Sequence, residues 1–260
     1  MSTYAYNLIM EFLKALLLGL VQGVCEFLPV SSSGHLILIE KILNTEGNIL
    51  LLNILLHIAT LFAIVLVFRA ELLDLIKKPF SSHNKKILVS AIPTVVIVLV
   101  IEMLIKDAFT GKFLAVGFLV TAIMLLVDKL FAIKFEGNRQ IGYGTAIIMG
   151  IFQGFAALPG ISRSGSTVAA GSLTGADRQR VAKFSFFMSI PIIFASIVYE
   201  IIFKDGSFAN FSAWFYITAF LAAFISGYFA LKFMIRVVVK KRYEFFIIYL
   251  IAVSIVSFFI

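Results

Sequence analysis

Apolar stretches of close to 20 residues recur along this sequence with few charged side chains in them. A helix needs roughly 20 such residues to cross about 30 Å of bilayer hydrocarbon. The chain is 61% hydrophobic and 14% charged, whereas a soluble domain is about 45–50% apolar and about 25% charged. We therefore predict an all-α integral membrane protein with six transmembrane helices, at 50–68, 87–105, 113–127 (running on to 131), 184–203, 211–235 and 245–260.

Two further apolar regions, 8–45 and 144–176, are interrupted midway by Pro, Gly and Ser. Each pattern predicts two short helices joined by a polar loop. Backbone groups at such a break lack partners in lipid, so a break is tolerated only where protein or a water-filled cavity surrounds it. We interpret both regions as re-entrant helix hairpins that line a functional site.

The two interrupted regions are related to each other. Gly19 aligns with Gly150 and Ser31 with Ser162, both at a shift of 131 residues. The single membrane domain, 1–260, is thus predicted to be a tandem repeat of 1–135 and 136–260, each with one hairpin and three spans. Three is odd, so the second copy is expected in inverted topology. Inverted repeats with broken helices place a polar site near the membrane midplane, where the breaks meet.

The net charge of +8 would suggest a nucleic-acid partner in a soluble protein. Here the Lys and Arg residues lie in short loops between apolar runs, which is a signal of membrane orientation. It places the loops that contain Lys77 and Lys240 in the cytoplasm and both termini outside. No nucleic acid is expected as a partner, the bilayer is, and a homodimer is left open. The single cysteine, Cys25, excludes an intramolecular disulfide.

The first break follows a helix that carries two polar side chains. Gln22 and Glu26 are four residues apart and so share a helix face. A carboxylate at membrane depth is costly and marks a functional site by default. The alternative is a buried structural glutamate that pairs with Arg163.

The break itself is a hydroxyl-rich turn that opens a new half-helix, made of Ser31, Ser32, Ser33 and Gly34. Backbone N–H groups at a helix N-terminus bind anions, phosphate above all. His35 follows in the first turn. A lone membrane histidine is often only a hydrogen-bonded core residue, but beside three serines and near Glu26 it is better interpreted as an acid or base.

The second break repeats this design and has Arg163 where the first has Ser32. Arginine suits bidentate binding of phosphate, although Arg163 could instead neutralise Glu26, and the two roles are compatible. The pattern predicts further phosphate contacts from Ser162, Ser164, Gly165, Ser166 and Thr167, beside those from Gln22, Ser31, Ser33 and Gly34 in the first half.

Together these motifs resemble the bacitracin-resistance type undecaprenyl-pyrophosphate phosphatases. The matching residues are Gln22-x-x-x-Glu26, then Pro-Val-Ser-Ser-Ser-Gly-His, then Pro-Gly-Ile-Ser-Arg-Ser-Gly-Ser-Thr, and the likeness spans nearly the whole chain. The resemblance implies hydrolysis of undecaprenyl pyrophosphate to undecaprenyl phosphate and inorganic phosphate. It also implies recycling of the lipid carrier for cell-wall synthesis and resistance to bacitracin, in a bacterial plasma membrane with the active site open to the outer face.

The resemblance further implies a divalent cation, Mg²⁺ or Ca²⁺, for which Glu26 is the plausible carboxylate ligand. Some members of the family have Glu where this chain has Gln22, which places the emphasis on Glu26. Our favoured mechanism takes Ser32 as the nucleophile, activated by His35 or Glu26, with Arg163 holding the terminal phosphate. Direct attack by water, with Glu26 as base, is the main variant.

A transporter or flippase of a lipid phosphate or another anion is the rival function, because inverted repeats with broken helices are transporter architecture. The Ser-His-Glu grouping favours hydrolysis, since transport needs neither nucleophile nor base. A purely structural protein would not explain the two polar breaks. Asn53 and His57 share a helix face and either border the site or join helices, and Asp128 is expected near a span end, close to water.

Overall fold

The protein is a bundle of helices. The computed structural model describes residues 3–43, 50–105, 107–131, 139–203, 211–240 and 242–260. Their helices are α1 Thr3–Phe27, α2 Ser32–Ile42, α3 Leu50–Val67, α4 Arg69–Lys77, α5 Ser82–Leu104, α6 Leu114–Phe131, α7 Tyr143–Phe155, α8 Arg163–Leu173, α9 Arg178–Phe203, α10 Ala213–Lys240 and α11 Glu244–Phe258. The all-α prediction is confirmed.

Six of these helices are long and apolar enough to cross a membrane, namely α1 (over Leu8–Phe27), α3, α5, α6, α9 and α10. Five of them coincide with predicted spans. The sixth prediction, 245–260, corresponds to α11, which has 15 residues and so extends only about 22 Å. Conversely, α1 was expected to be the short half of a hairpin, yet it has 25 residues, enough to span the hydrocarbon layer.

Both predicted breaks are present. Four residues separate α1 from α2, and a longer turn separates α7 from α8. A serine caps each new half-helix: the Ser31 hydroxyl accepts from the Gly34 N–H at 3.4 Å, and the Ser162 hydroxyl accepts from the Gly165 N–H at 3.1 Å. The re-entrant course of the hairpins stays a prediction, and residues 44 and 45 of the first one lie outside the described residues.

Equivalent glycines of the two halves make equivalent close contacts. A Cβ on Gly19 of α1 would lie 2.3 Å from the Ala219 carbonyl oxygen of α10, and one on Gly150 of α7 would lie 2.1 Å from the Ser90 carbonyl oxygen of α5. Small residues let membrane helices approach this closely. Each hairpin therefore packs its first helix against a long helix of the other half. This agrees with a duplication, while the inverted orientation of the second copy stays a prediction.

A buried ion pair connects α6 to α9. Arg178 donates from Nη2 to Asp128 Oδ1 at 2.6 Å and from Nη1 to Oδ2 at 3.1 Å, and Nη1 also lies 3.3 Å from the Tyr243 hydroxyl. Asp128 is 0% exposed. The expectation that Asp128 sits close to water was therefore wrong, because the guanidinium fork supplies the hydrogen bonds that water would otherwise make.

Candidate active site

The two breaks touch each other inside the bundle. The Ser31 hydroxyl accepts from the Gly160 N–H at 3.1 Å, and the Ser164 hydroxyl donates to the Leu28 carbonyl at 3.0 Å. Gly160 has a φ of 89° and a Cβ there would lie 2.5 Å from the Leu114 carbonyl oxygen. Only glycine fits that conformation and space. The predicted meeting of the two breaks is thus observed in the fold.

Glu26 is the centre of the polar cluster at this junction. Its Oε2 accepts from the Ser32 hydroxyl at 2.6 Å and from Gln22 Nε2 at 3.2 Å, while its Oε1 accepts from Arg163 Nη2. Glu26 is 7% exposed. A buried carboxylate needs a paired charge and hydrogen bonds on its remaining lone pairs, and this arrangement supplies both. The structure therefore brings together four of the predicted site residues.

Two buried polar atoms in this cluster have no hydrogen-bond partner within the described part of the chain, namely Arg163 Nη1 and Gln22 Oε1. A buried donor or acceptor without a partner costs about 1–3 kcal/mol. An anion that accepts from Nη1 would remove that penalty at Arg163. An oxygen-seeking cation or a hydroxyl would do the same at Gln22. Both orphaned atoms are therefore consistent with a ligand-binding centre.

Both half-helices begin at this centre. Ser32 is the first residue of α2 and Arg163 the first residue of α8, and both side chains contact Glu26. The first turn of a helix carries N–H groups without an intrahelical acceptor and the positive end of the helix dipole. Two such ends beside one arginine make an environment suited to a phosphoryl group.

Serine hydroxyls surround these helix starts. Ser31 and Ser33 lie 3.4 Å apart between hydroxyl oxygens, and Ser162 and Ser164 lie 3.3 Å apart. Ser33 is exposed and the other three are buried. The N–H groups of Gly34 and Gly165, predicted to bind phosphate, instead donate to the capping serines.

Ser166 and Thr167 are also engaged elsewhere. The Thr167 hydroxyl donates to the Arg163 carbonyl at 2.8 Å and lies 2.6 Å from the Ser185 hydroxyl of α9. The Ser166 hydroxyl lies 3.5 Å from the Met124 sulfur of α6. In this structure both side chains join α8 to its neighbouring helices. The α-helical continuation of α8 explains this, because it rotates them off the face that carries Arg163.

His35 does not contact Ser32 or Glu26 through any hydrogen bond among the described residues. Its Nδ1 lies 2.7 Å from the Ser31 carbonyl oxygen and its Nε2 lies 2.7 Å from the Tyr249 hydroxyl. A carbonyl only accepts, so Nδ1 carries a hydrogen, and a neutral ring then accepts from Tyr249 at Nε2. The expected activation of Ser32 by His35 therefore has no direct contact behind it, whereas activation by Glu26 does.

Comparison with known proteins places the chain in a family. Residues 15–256 match the model of the bacitracin resistance protein BacA. The chain belongs to this family. It is 37% identical to an undecaprenyl-diphosphatase of Carboxydothermus hydrogenoformans, with 92% of this chain and 94% of that protein covered. It is 36% identical to one of Christiangramia forsetii, at 95% and 97% coverage, and 33% identical to one of Methanobrevibacter smithii, at 96% and 97%.

Tyr249 is a site residue of this BacA-family chain that sequence reasoning missed, since a single tyrosine in an apolar helix gives no signal of its own. The repeat does give one, because a shift of 131 residues places Phe118 on Tyr249. These two rings hold His35 between them. Tyr249 is stacked with a centroid distance of 5.6 Å, and Phe118 meets the ring edge-on at 5.1 Å.

His57 extends the cluster into α3. Its Nδ1 lies 3.4 Å from Gln22 Nε2, the atom that also donates to Glu26. Both interpretations of His57 therefore hold, since it joins two helices and borders the site. Asn53, one turn earlier, has a buried side-chain oxygen with no hydrogen-bond partner in the described residues.

Proposed function

We propose that this chain hydrolyses undecaprenyl pyrophosphate to undecaprenyl phosphate and inorganic phosphate. The observation that carries the proposal is the Ser32 hydroxyl 2.6 Å from a carboxylate that also pairs with Arg163. This nucleophile, base and anion-binding group converge in a chain whose relatives bear the name undecaprenyl-diphosphatase. Arg163 Nη1 and the N-terminal turns of α2 and α8 hold the terminal phosphate.

In the favoured route, Ser32 Oγ attacks the terminal phosphorus and Glu26 accepts the hydroxyl proton. The bond from that phosphorus to the bridging oxygen breaks, and undecaprenyl phosphate leaves with its electron pair. Water then attacks the phosphoserine, which releases phosphate and restores the Ser32 hydroxyl. In the variant, water attacks the terminal phosphorus directly with Glu26 as base, and Ser32 only donates a hydrogen bond.

A divalent cation, Mg²⁺ or Ca²⁺, fits the donor set of this centre. Glu26 and the orphaned Gln22 Oε1 are oxygen ligands of the kind that these ions prefer. The described residues contain no group of three or more His, Cys, Asp or Glu side chains, so pyrophosphate oxygens and water complete the coordination. When bound, the ion offsets the charge of the pyrophosphate.

The cellular setting that we propose is a bacterial plasma membrane, with the site open to the outer face and both termini outside. The excess of Lys and Arg in the loops that contain Lys77 and Lys240 supports this orientation. Hydrolysis there recycles the carrier for cell-wall synthesis and removes the target of bacitracin. In a Cys25→Ala background, a membrane-impermeant thiol reagent on intact cells should label Ile260→Cys but not Lys78→Cys. The reverse labelling would overturn the orientation.

The rival function, transport of a lipid phosphate, is separated by an assay without compartments. Purified chain in detergent micelles should release inorganic phosphate from undecaprenyl pyrophosphate, and mass spectrometry should detect undecaprenyl phosphate as the product. EDTA should suppress the release, and added Mg²⁺ or Ca²⁺ should restore it. A transporter would leave the lipid pyrophosphate intact. Light scattering of the same preparation measures whether the chain forms the homodimer that the sequence leaves open.

A further inference from the structure

An apolar cavity of about 550 Å³ lies between α1, α2 and α11. We call it the side groove. Most of its lining is aliphatic and includes Val21, Val24, Leu38, Ile39, Ala252 and Val253. The exceptions are Cys25, His35 and Tyr249. We call the part of the groove that these three residues line its inner end.

The inner end of the side groove adjoins the active site. Cys25 immediately precedes Glu26 on α1, and His35 lies in the first turn of α2, which Ser32 opens. The polar atoms at this end already satisfy one another, because His35 Nε2 and the Tyr249 hydroxyl are 2.7 Å apart. The groove therefore begins beside the catalytic cluster and offers no unpaired ion at that point.

The groove leads away from the cluster along two helices. Its lining residues on α2 are His35, Leu38, Ile39 and Ile42, and those on α11 are Tyr249, Ala252, Val253 and Val256. Both sets follow the i, i+3, i+4, i+7 spacing of one helix face. Seven residues at about 1.5 Å each make a track of roughly 10 Å. That length suits the first few isoprene units of a lipid chain.

We propose that the side groove binds the isoprenoid chain of the polyprenyl pyrophosphate, an inference that rests on the proposed function. The pyrophosphate is covalently attached to its chain, so a headgroup held at Glu26 and Arg163 fixes where the chain begins. Charged and hydroxyl groups fill the junction of the breaks, and the first methylene groups need an apolar path out of it. The side groove is an apolar path that starts there.

Two other cavities of the described structure do not fit this role. One is lined by charged side chains, among them Glu71, Asp74 and Lys86. The other lies between α6 and the end of α11, at Ala115 and Phe258. Neither is lined by a residue of the Glu26 cluster or by His35 and Tyr249. A bulk phospholipid is a poor occupant of the side groove, because its headgroup would find only the mutually bonded His35 and Tyr249 at the inner end.

Photo-crosslinking locates the chain directly. A diazirine amino acid replaces Ala252 in the groove or, as matched control, Ile248 on the same helix, which is 69% exposed and does not line the groove. Each full-length variant, in lipid nanodiscs, is irradiated with radiolabelled undecaprenyl pyrophosphate. We expect label at position 252 that excess unlabelled substrate displaces, and little at position 248. Equal labelling at both positions, or labelling that the competitor does not reduce, would overturn the proposal.

Obstruction of the groove gives a second, kinetic measurement. Ala252→Phe should lower kcat/KM for undecaprenyl pyrophosphate roughly 5- to 150-fold, as expected when a large side chain overfills a packed space. Ile248→Phe should match the wild type. Inhibition by inorganic pyrophosphate, which has no chain, should be equal in all three proteins. A wild-type kcat/KM in Ala252→Phe, or a matching loss of pyrophosphate inhibition, contradicts the groove assignment.

The two proposals fail in different ways. If the wild-type chain releases no phosphate from undecaprenyl pyrophosphate, the proposed function is wrong, whatever the crosslinks show. If it releases phosphate while Ala252→Phe and the crosslinks show no selectivity, only the groove assignment is wrong.

Discussion

The Ser32 hydroxyl donates a 2.6 Å hydrogen bond to Glu26 Oε2, and the other oxygen of the same carboxylate accepts from Arg163. Ser32 and Arg163 occupy the same position in the two repeats, one at the start of each half-helix. A single carboxylate thus connects the candidate nucleophile of the first half to the anion-binding cation of the second. Neither half contains this centre alone.

The covalent route predicts that Ser32→Ala abolishes turnover while binding of undecaprenyl pyrophosphate persists. If Ser32 only donates a hydrogen bond, its loss should cost about 1–3 kcal/mol, or roughly 5- to 150-fold in rate. Phosphate release by the folded variant distinguishes the two. Ser257→Ala is the matched control, since that hydroxyl donates only to its own helix, at the Val253 carbonyl. A Ser32→Ala enzyme that keeps several per cent of the wild-type rate would exclude the covalent route.

Arg163→Lys should lose most activity although the charge is retained. Lysine lacks the planar fork, so it cannot bond Glu26 through one nitrogen and a phosphate through the other. Removal of a preorganised donor to a developing charge lowers kcat by roughly 10²-fold or more. The measurement is kcat with undecaprenyl pyrophosphate at saturating substrate. Turnover near that of the wild type would mean that Arg163 supplies only bulk charge.

The sequence was sufficient to predict the centre, because a Glu, an Arg and two serine turns inside apolar runs are costly in lipid unless they meet in a polar site. It could not assign partners to side chains that a helix rotates away from the centre. Thr167 bonds Ser185, and His35 bonds Tyr249, and both contacts depend on how helices pack. Helix lengths were also beyond the hydropathy pattern. It treated α1 as a half-helix and 245–260 as a span, and the structure gives them 25 and 15 residues.

Tyr249→Phe tests whether the hydroxyl fixes the orientation of His35. The phenyl ring keeps the stacking, but His35 Nε2 loses its partner, a loss of about 1–3 kcal/mol for a buried group. We expect kcat to fall roughly 5- to 150-fold if that energy holds the ring in its productive orientation. The ¹⁵N NMR signal of His35 Nε2, assigned with His35→Asn, should move as its hydrogen bond is lost.

Phe245→Leu is the control for the tyrosine variant. Phe245 stacks on Tyr249 with a centroid distance of 6.2 Å, so its loss weakens packing but leaves the hydroxyl in place. The His35 Nε2 signal should stay unchanged in this variant. An identical signal in wild type and Tyr249→Phe would show that the hydroxyl does not bond the ring.

Arg178→Ala should destabilise the fold more than any effect it has on chemistry. It leaves the Asp128 carboxylate without the bidentate partner that it has in the buried pair, and breaking such a pair costs about 3–5 kcal/mol. The exposed Arg180 is the control, since its Asp177 contact of 3.9 Å is a surface pair worth about 0–1 kcal/mol. Thermal unfolding in detergent compares the two. Equal midpoints for Arg178→Ala and Arg180→Ala would contradict the structural role of the pair.

Phosphate release from undecaprenyl pyrophosphate by purified wild type and Glu26→Gln, both in lipid nanodiscs with Mg²⁺, tests the central claim most directly. Gln keeps the size of the side chain but removes the charge and the base that Ser32 and Arg163 share. We predict steady release by the wild type, and at least roughly a hundredfold slower release by a folded Glu26→Gln, the scale expected when a positioned general base is lost. Release by Glu26→Gln at the wild-type rate, or none by the wild type, would contradict the account.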